Sequence, residues 1–134
     1  MSLEARAAGL RRMLEEALEL LRKGDAVQGA EKLYKVAEDA VKALSELRGL
    51  PEHEEAARKG RWQARLLHEA ARRLAEIYGG EVLDAWEAAY EFHVEGFHEE
   101  RLAPDYVMGE AYKVEGLVRL VEEEARRLAQ RQGA

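Results

Sequence analysis

The spacing of apolar residues constrains the fold of this chain more than any other feature. Apolar side chains recur at intervals of three and four through most of the 134 residues, and no segment shows the apolar–polar alternation of a strand. In the first helical segment this seam runs through Leu3, Ala7, Leu10, Leu14, Ala17 and Leu21. Such intervals return to one face of an α-helix, so the spacing predicts an all-α fold with helices packed side by side.

Glycine and proline residues divide the chain into about five predicted helices. Gly24 ends the first helix, and Asp25 with Gln28 has the form of a capping box that opens the second. The Gly79–Gly80 pair stops the third helix, and the fourth helix follows it directly. Pro104 is well placed at the first position of the fifth helix.

A polar connection with Gly49, Pro51 and Gly60 joins the second predicted helix to the third. We expect it to hold no more than a short helical turn. Because the loops are short, neighbouring helices should pack mostly antiparallel, which predicts an antiparallel bundle of about five helices. The length of the chain predicts a single helical-bundle domain, residues 1–134.

The composition excludes several classes of protein. The chain has no cysteine, which excludes disulfides, thiolate metal sites and a cysteine nucleophile. Its net charge of −6 argues against a general nucleic-acid coat protein. No stretch approaches about 18 apolar residues, so we expect a cytoplasmic protein that does not enter a membrane. Asparagine and threonine are absent while arginine and glutamate are dense, which indicates a thermophile.

The segment WEAAYEFHVEGFHEERL, residues 86–102, holds a dense cluster of aromatic and titratable groups. At about 100° per residue, an α-helical wheel aligns one stripe of rings: Trp86, Tyr90, His93 and Phe97. The wheel places His98 on the opposite side, with Glu91 and Glu95. His93 is therefore either a ligand-binding residue between aromatic walls or a core histidine that a neighbouring group satisfies.

Glu95 and His98 match the Glu-x-x-His element of di-iron helix bundles. Such a centre needs two of these elements and two further inward glutamates, and this chain has only one element. The sequence therefore does not support a di-iron centre, and we predict no cofactor. A weak metal site at Glu91, Glu95 and His98 is the alternative to a solvated acidic face.

The third predicted helix carries a basic stripe. Its members recur at intervals of four, three and four residues and are Arg61, Arg65, His68 and Arg72. One interpretation is a phosphate-binding stripe for a nucleotide or RNA, with arginines gripping phosphate oxygens. The other is that this helix forms salt bridges with the acidic side of the fourth helix. We expect the functional surface where the basic and aromatic stripes meet.

Two long segments carry a family resemblance. They are LLRKGDAVQGAEKLYKVAEDAVKAL and GRWQARLLHEAARRLAEIYGGEVLDAWEAAYEFHVEGFHEERL, and residues 86–99 are the most specific part. Together they resemble the archaeal PaREP family, in its first type, over about residues 14–121. That family is similar to the HEPN superfamily of helical bundles. The resemblance implies an HEPN-like bundle, a homodimer, and either a toxin–antitoxin partner or a nucleotidyltransferase-type partner protein.

RNA-cleaving members of that superfamily carry an arginine, four to six residues and a histidine near the start of the last long helix. Arg61 with His68 and Arg48 with His53 both fit that loose spacing, but the fifth predicted helix has no histidine. Our leading hypothesis is therefore a homodimeric module that binds a nucleotide, RNA or partner protein without robust catalysis. The alternative is a metal-independent endoribonuclease that uses Arg61 and His68. The predicted ligand-binding residues are His93, Trp86, Tyr90, Phe97, Arg61, Arg65, His68 and Arg72.

Overall fold

The computed structural model describes residues 1–133, and helices cover most of that range. The α-helices are α1 Leu3–Arg22, α2 Ala26–Leu47, α3 Pro51–Lys59, α4 Ala64–Tyr78, α5 Glu81–Glu91 and α6 Pro104–Gly133. A π-helical segment, Phe92–His98, follows α5 directly. The all-α prediction is confirmed, and the part of the chain that the structure describes has six α-helices rather than five. No helix in residues 1–133 is long and apolar enough to cross a membrane.

The additional helix, α3, lies in the connection that we expected to hold only a short turn. Pro51 occupies its first position, where a missing amide hydrogen breaks no helical hydrogen bond. Gly60 ends the helix in the left-handed conformation, with φ at 74°. Only Glu52 and Ala56 of this helix are buried. Because it presents so little apolar surface, apolar spacing does not reveal this helix.

Helix α2 lies at the centre of the bundle and contacts every other α-helix as well as the π-helical segment. Its fully buried apolar residues are Ala30, Leu33, Val36, Ala37, Ala40, Val41 and Leu44. The predicted seam of α1 also lies in the core, except for Leu3 at its start, which is partly exposed. Helix α6 contributes Val107, Ala111, Val114, Val118, Val121 and Ala125 to the core. Ile77, three residues after buried Leu74, is 40% exposed near the end of α4.

The π-helical segment packs closely on α2. A Cβ added to Gly96 would lie 2.7 Å from the Cβ of Ala30, so only glycine fits without displacing a neighbour. The neighbour that requires glycine at this position is a helix of the same chain. Beyond the segment, Glu100 adopts a φ of 53°, which turns the chain away from the helix axis.

Candidate functional site

A cleft of about 900 Å³ lies between α4 and the continuous helix formed by α5 and the π-helical segment. Its lining residues are Arg65, His68, Glu69, Arg72, Leu83, Trp86, Glu87, Tyr90, Glu91, Val94 and Glu95. The cleft therefore occupies the place where the basic stripe meets the aromatic stripe. Small-molecule sites in proteins typically measure roughly 300–1,000 Å³, so this cleft has room for a small ligand.

The structure separates the eight predicted ligand-binding residues. Five of them line the cleft: Arg65, His68, Arg72, Trp86 and Tyr90. His93 and Phe97 do not line it. Arg61 is exposed and precedes the first residue of α4, so its assignment to the helical stripe is wrong. The arginine and histidine of the endoribonuclease hypothesis therefore do not share the cleft.

A hydrogen bond between two side chains sets the protonation pattern of His68. Trp86 Nε1 donates to His68 Nδ1 at 2.9 Å, and Trp86 is only 1% exposed. Because an indole nitrogen can only donate, Nδ1 accepts and the neutral imidazole carries its proton on Nε2. His68 therefore offers the cleft an N–H donor and has no free lone pair with which to accept a proton.

The arginines of α4 pair within α4 and with α3. Arg65 bonds Glu55 at 2.6 Å and Glu69 at 3.0 Å, and these bonds, the one to Glu69 first, raise the pKa of Arg65. Arg73 donates to both carboxylate oxygens of Glu52, at 3.0 and 3.1 Å. Within residues 1–133, no ion pair joins an arginine of α4 to a glutamate of α5. The interpretation that the basic helix neutralises the acidic one is therefore wrong.

Two charged groups of the cleft have neither an ion-pair partner nor a side-chain hydrogen bond within the described residues. They are Arg72 on α4 and Glu87 on α5. By contrast, Glu91 accepts a hydrogen bond from a tyrosine of α6 at 2.8 Å, and Glu95 lies 3.6 Å from an arginine. The cleft therefore offers one uncompensated cation and one uncompensated anion on different helices.

The π-helical segment brings together two histidines that the wheel placed on opposite sides. The Nε2 atoms of His93 and His98 are 3.2 Å apart, and their rings are inclined by 80°. In an α-helix, side chains five residues apart point in directions that differ by about 140°. In a π-helix, whose hydrogen bonds join residues five apart, position i+5 returns to the same side. The prediction of separate faces is therefore wrong.

This arrangement also breaks up the predicted metal site at Glu91, Glu95 and His98. The two glutamates line the cleft, whereas His98 contacts His93 outside it. Among the residues that the structure describes, no group of three or more histidine, aspartate or glutamate side chains could hold a metal ion. The prediction of a metal site formed by Glu91, Glu95 and His98 together is therefore wrong.

Two residues of α2 contact His93, and the sequence alone predicted a role for neither. Glu31 Oε1 lies 2.8 Å from His93 Nδ1, and the Tyr34 ring stacks on His93 with centroids 4.1 Å apart. Burial, followed by the carboxylates of Glu38 and Glu31, raises the pKa of Tyr34. The one sequence signal that could have identified Glu31 and Tyr34 is their spacing of three residues, which places both on the same side of α2. A carboxylate on another helix is thus the partner of one nitrogen of His93, whose side chain is 23% exposed.

Comparisons with known proteins agree with this architecture. The sequence matches the model of the archaeal PaREP1/PaREP8 family over residues 5–118. A crystal structure of a Sulfolobus solfataricus protein is 36% identical, with a TM-score of 0.76 over 84% of this chain and 92% of that one. A solution structure of an open-reading-frame product is 37% identical, with a TM-score of 0.67 and 87% of each chain covered. A comparison with curated proteins gives no match. Because the family match spans most of its length, this chain belongs to the archaeal PaREP1/PaREP8 family.

Proposed function

We propose that this protein binds a mononucleotide in the cleft between α4 and α5 and acts as a binding module rather than an enzyme. The observation that carries the proposal is the hydrogen bond from Trp86 to His68. It leaves His68 with an N–H donor on the helix that also carries Arg65 and Arg72. Guanidinium and imidazole N–H groups bind phosphate oxygens through charge-assisted hydrogen bonds. A general base would need the lone pair that this hydrogen bond occupies.

The charges of the cleft favour a single nucleotide over an RNA strand. Four glutamates line the cleft beside two arginines, and they are Glu69, Glu87, Glu91 and Glu95. A strand of phosphates would meet this negative potential along its length, whereas one phosphate at Arg72 meets a free cation. The partly exposed ring of Tyr90, which packs beside buried Trp86, supplies an aromatic wall for a base, and stacking on such a ring contributes about 1–3 kcal/mol. The free carboxylate of Glu87 can accept a hydrogen bond from an exocyclic amino group.

A fluorescence titration with adenosine 5′-monophosphate tests this proposal. Trp62 lies outside the cleft lining, so the variant Trp62→Phe leaves Trp86 as the only tryptophan reporter. We expect saturable quenching at low salt that weakens as salt is added. Arg72→Gln should lower the affinity about tenfold or more, as loss of a hydrogen bond to a charged group does. Arg12→Gln, on the exposed surface of α1, removes the same charge elsewhere and should leave the affinity unchanged.

The base provides a second control. Uridine 5′-monophosphate has no exocyclic amino group for Glu87 and should bind more weakly than the adenosine nucleotide. Equal affinities of Arg72→Gln and Arg12→Gln would contradict the proposal, and so would tighter binding of single-stranded RNA than of the mononucleotide. Metal-free RNA cleavage that His68→Ala abolishes would instead support the endoribonuclease hypothesis.

We propose further that the protein forms a homodimer, and exposed aromatic residues of α6 support this proposal. Tyr112 is 65% exposed and Tyr106 is 44% exposed, which leaves two aromatic rings at the surface of one helix. Aromatic residues are enriched in protein–protein interfaces. Sedimentation velocity should therefore show a dimer for the wild type and a monomer for Tyr112→Arg. An unchanged oligomeric state would contradict the proposal that Tyr112 lies in the dimer interface. The nucleotidyltransferase-type partner and the HEPN-like similarity stay predictions.

A further inference from the structure

His93 and His98 form a pair that the proposed nucleotide site does not use. Their Nε2 atoms are 3.2 Å apart, and neither residue lines the cleft. The side chain of His93 is 23% exposed, and His98 lies at the surface. A small ion can therefore reach the two nitrogens directly from solvent.

Glu31 determines which nitrogen of His93 is free. Its carboxylate lies 2.8 Å from Nδ1, and an ionised carboxylate only accepts hydrogen bonds, so Nδ1 donates. In the neutral imidazole Nε2 then keeps its lone pair on the side of His98. The stacked ring of Tyr34, with centroids 4.1 Å apart, holds the plane of His93. His93 is thereby oriented as a ligand before any ion binds.

We propose that His93 and His98 bind one divalent transition-metal ion of the zinc class through their Nε2 atoms. Two ligands of a tetrahedral ion with bonds of about 2.0–2.1 Å to nitrogen lie about 3.3–3.4 Å apart. The observed separation of 3.2 Å is close to that distance. When the ion binds, the proton of His98 moves from Nε2 to Nδ1, so that both Nε2 atoms present a lone pair to the metal. Metal-binding histidines commonly donate their other N–H to a carboxylate, and Glu31 is that acceptor here.

The ligand atoms restrict the chemistry of the ion. Imidazole nitrogen suits zinc, nickel and copper, and the chain has no cysteine that would favour a softer ion. No group of three or more suitable side chains exists within residues 1–133, so water occupies the remaining coordination positions. Structural zinc sites are closed by four protein ligands, whereas an open position is typical of a site where a further molecule coordinates.

Isothermal titration of the full chain with Zn²⁺, after removal of any histidine tag, tests the site. Wild-type protein should bind one ion per chain, and one equivalent of Co²⁺ should give visible absorption bands. Glu31→Gln should weaken Zn²⁺ binding about 10- to 100-fold, the usual effect of losing an outer-shell partner. His98→Ala removes a ligand at an exposed position and should weaken binding further. His53→Ala removes a partly exposed histidine of α3 and should bind as wild type does.

Equal Zn²⁺ affinities of wild type and His98→Ala would overturn the proposal. Failure of the wild type to bind Zn²⁺ would also overturn it, since the two histidines would then share only a hydrogen bond. The site does not depend on the proposed nucleotide cleft. Accordingly, His68→Ala and Arg72→Gln should keep the full Zn²⁺ affinity whether or not the nucleotide binds.

Discussion

Replacing Gly96 by alanine tests the contact that fixes the position of the π-helical segment. The new Cβ would lie 2.7 Å from the Cβ of Ala30 on α2. Carbon atoms pack at about 3.5–4.0 Å, so the two elements would have to separate by roughly 1 Å. Gly96 is buried and Ala30 has no exposed surface, which leaves neither group room to move into solvent. Overpacking of this kind costs about 1–3 kcal/mol of the free energy of unfolding.

Gly109 provides the matched control for this substitution. It is also a helical glycine, but it is exposed, and a Cβ added there would meet no atom within 4 Å. Gly109→Ala should stabilise the protein by about 0.5–1 kcal/mol, because alanine loses less backbone entropy in a helix. The same backbone gain applies to Gly96→Ala. The difference between the two variants therefore isolates the steric cost, about 1–3 kcal/mol.

Urea unfolding followed by far-ultraviolet circular dichroism measures this difference. Ala30→Gly removes the opposing Cβ, so the double variant should be more stable than the sum of the single effects predicts. Zn²⁺ affinity should fall in Gly96→Ala and recover in the double variant, because Glu31 follows Ala30 directly in α2. If Gly96→Ala proves as stabilising as Gly109→Ala, α2 and the π-helical segment do not pack at this distance, and the reasoning is refuted.

Three further predictions concern partly buried hydrogen bonds. Trp86→Phe removes the hydrogen-bond donor of His68 Nδ1 and makes the buried ring smaller. The free energy of unfolding, measured in urea, should therefore fall by about 1–3 kcal/mol. An unchanged free energy of unfolding would show that this hydrogen bond does not stabilise the protein. Burial opposes ionisation of Glu124, but hydrogen bonds from Tyr78 and an arginine outweigh it, so the pKa of Glu124 lies below its ordinary value of 4.5. The stability from this carboxylate is present above about pH 4.5 and is lost as pH falls through the lowered pKa, so Glu124→Gln should flatten the acid side of a pH–stability curve. Burial, followed by the hydrogen bond to Glu124, raises the pKa of Tyr78 to about 12, so stability should fall as pH rises from 10 towards 12, and Tyr78→Phe should remove that loss.

The position of the cleft could be predicted from the sequence, but its ion pairs could not. The basic and aromatic stripes follow helical periodicity over short distances, which a sequence displays directly. The partners of the arginines depend on α3, a helix with little apolar surface to mark it. Glu52 and Glu55 of that helix form the ion pairs with α4 arginines that the sequence had predicted for the glutamates of the next helix. Of the four cleft glutamates, only Glu87 has neither an ion pair nor a side-chain hydrogen bond within residues 1–133.

The histidine pair could not be predicted, because it depends on a change of helix type that tertiary contacts impose. A helical wheel assumes about 100° per residue throughout, and that assumption separates His93 from His98 by about 140°. The contacts that hold the π-helical segment come from α2. Ala30 packs against Gly96, and Glu31 forms a hydrogen bond with His93, which lies 62 residues away in the sequence. Since π-helical turns occur frequently at functional sites, this segment is a functional candidate on grounds that apolar spacing does not provide. The same α2 residues that make the segment unpredictable from its own sequence are the ones that orient His93 towards His98.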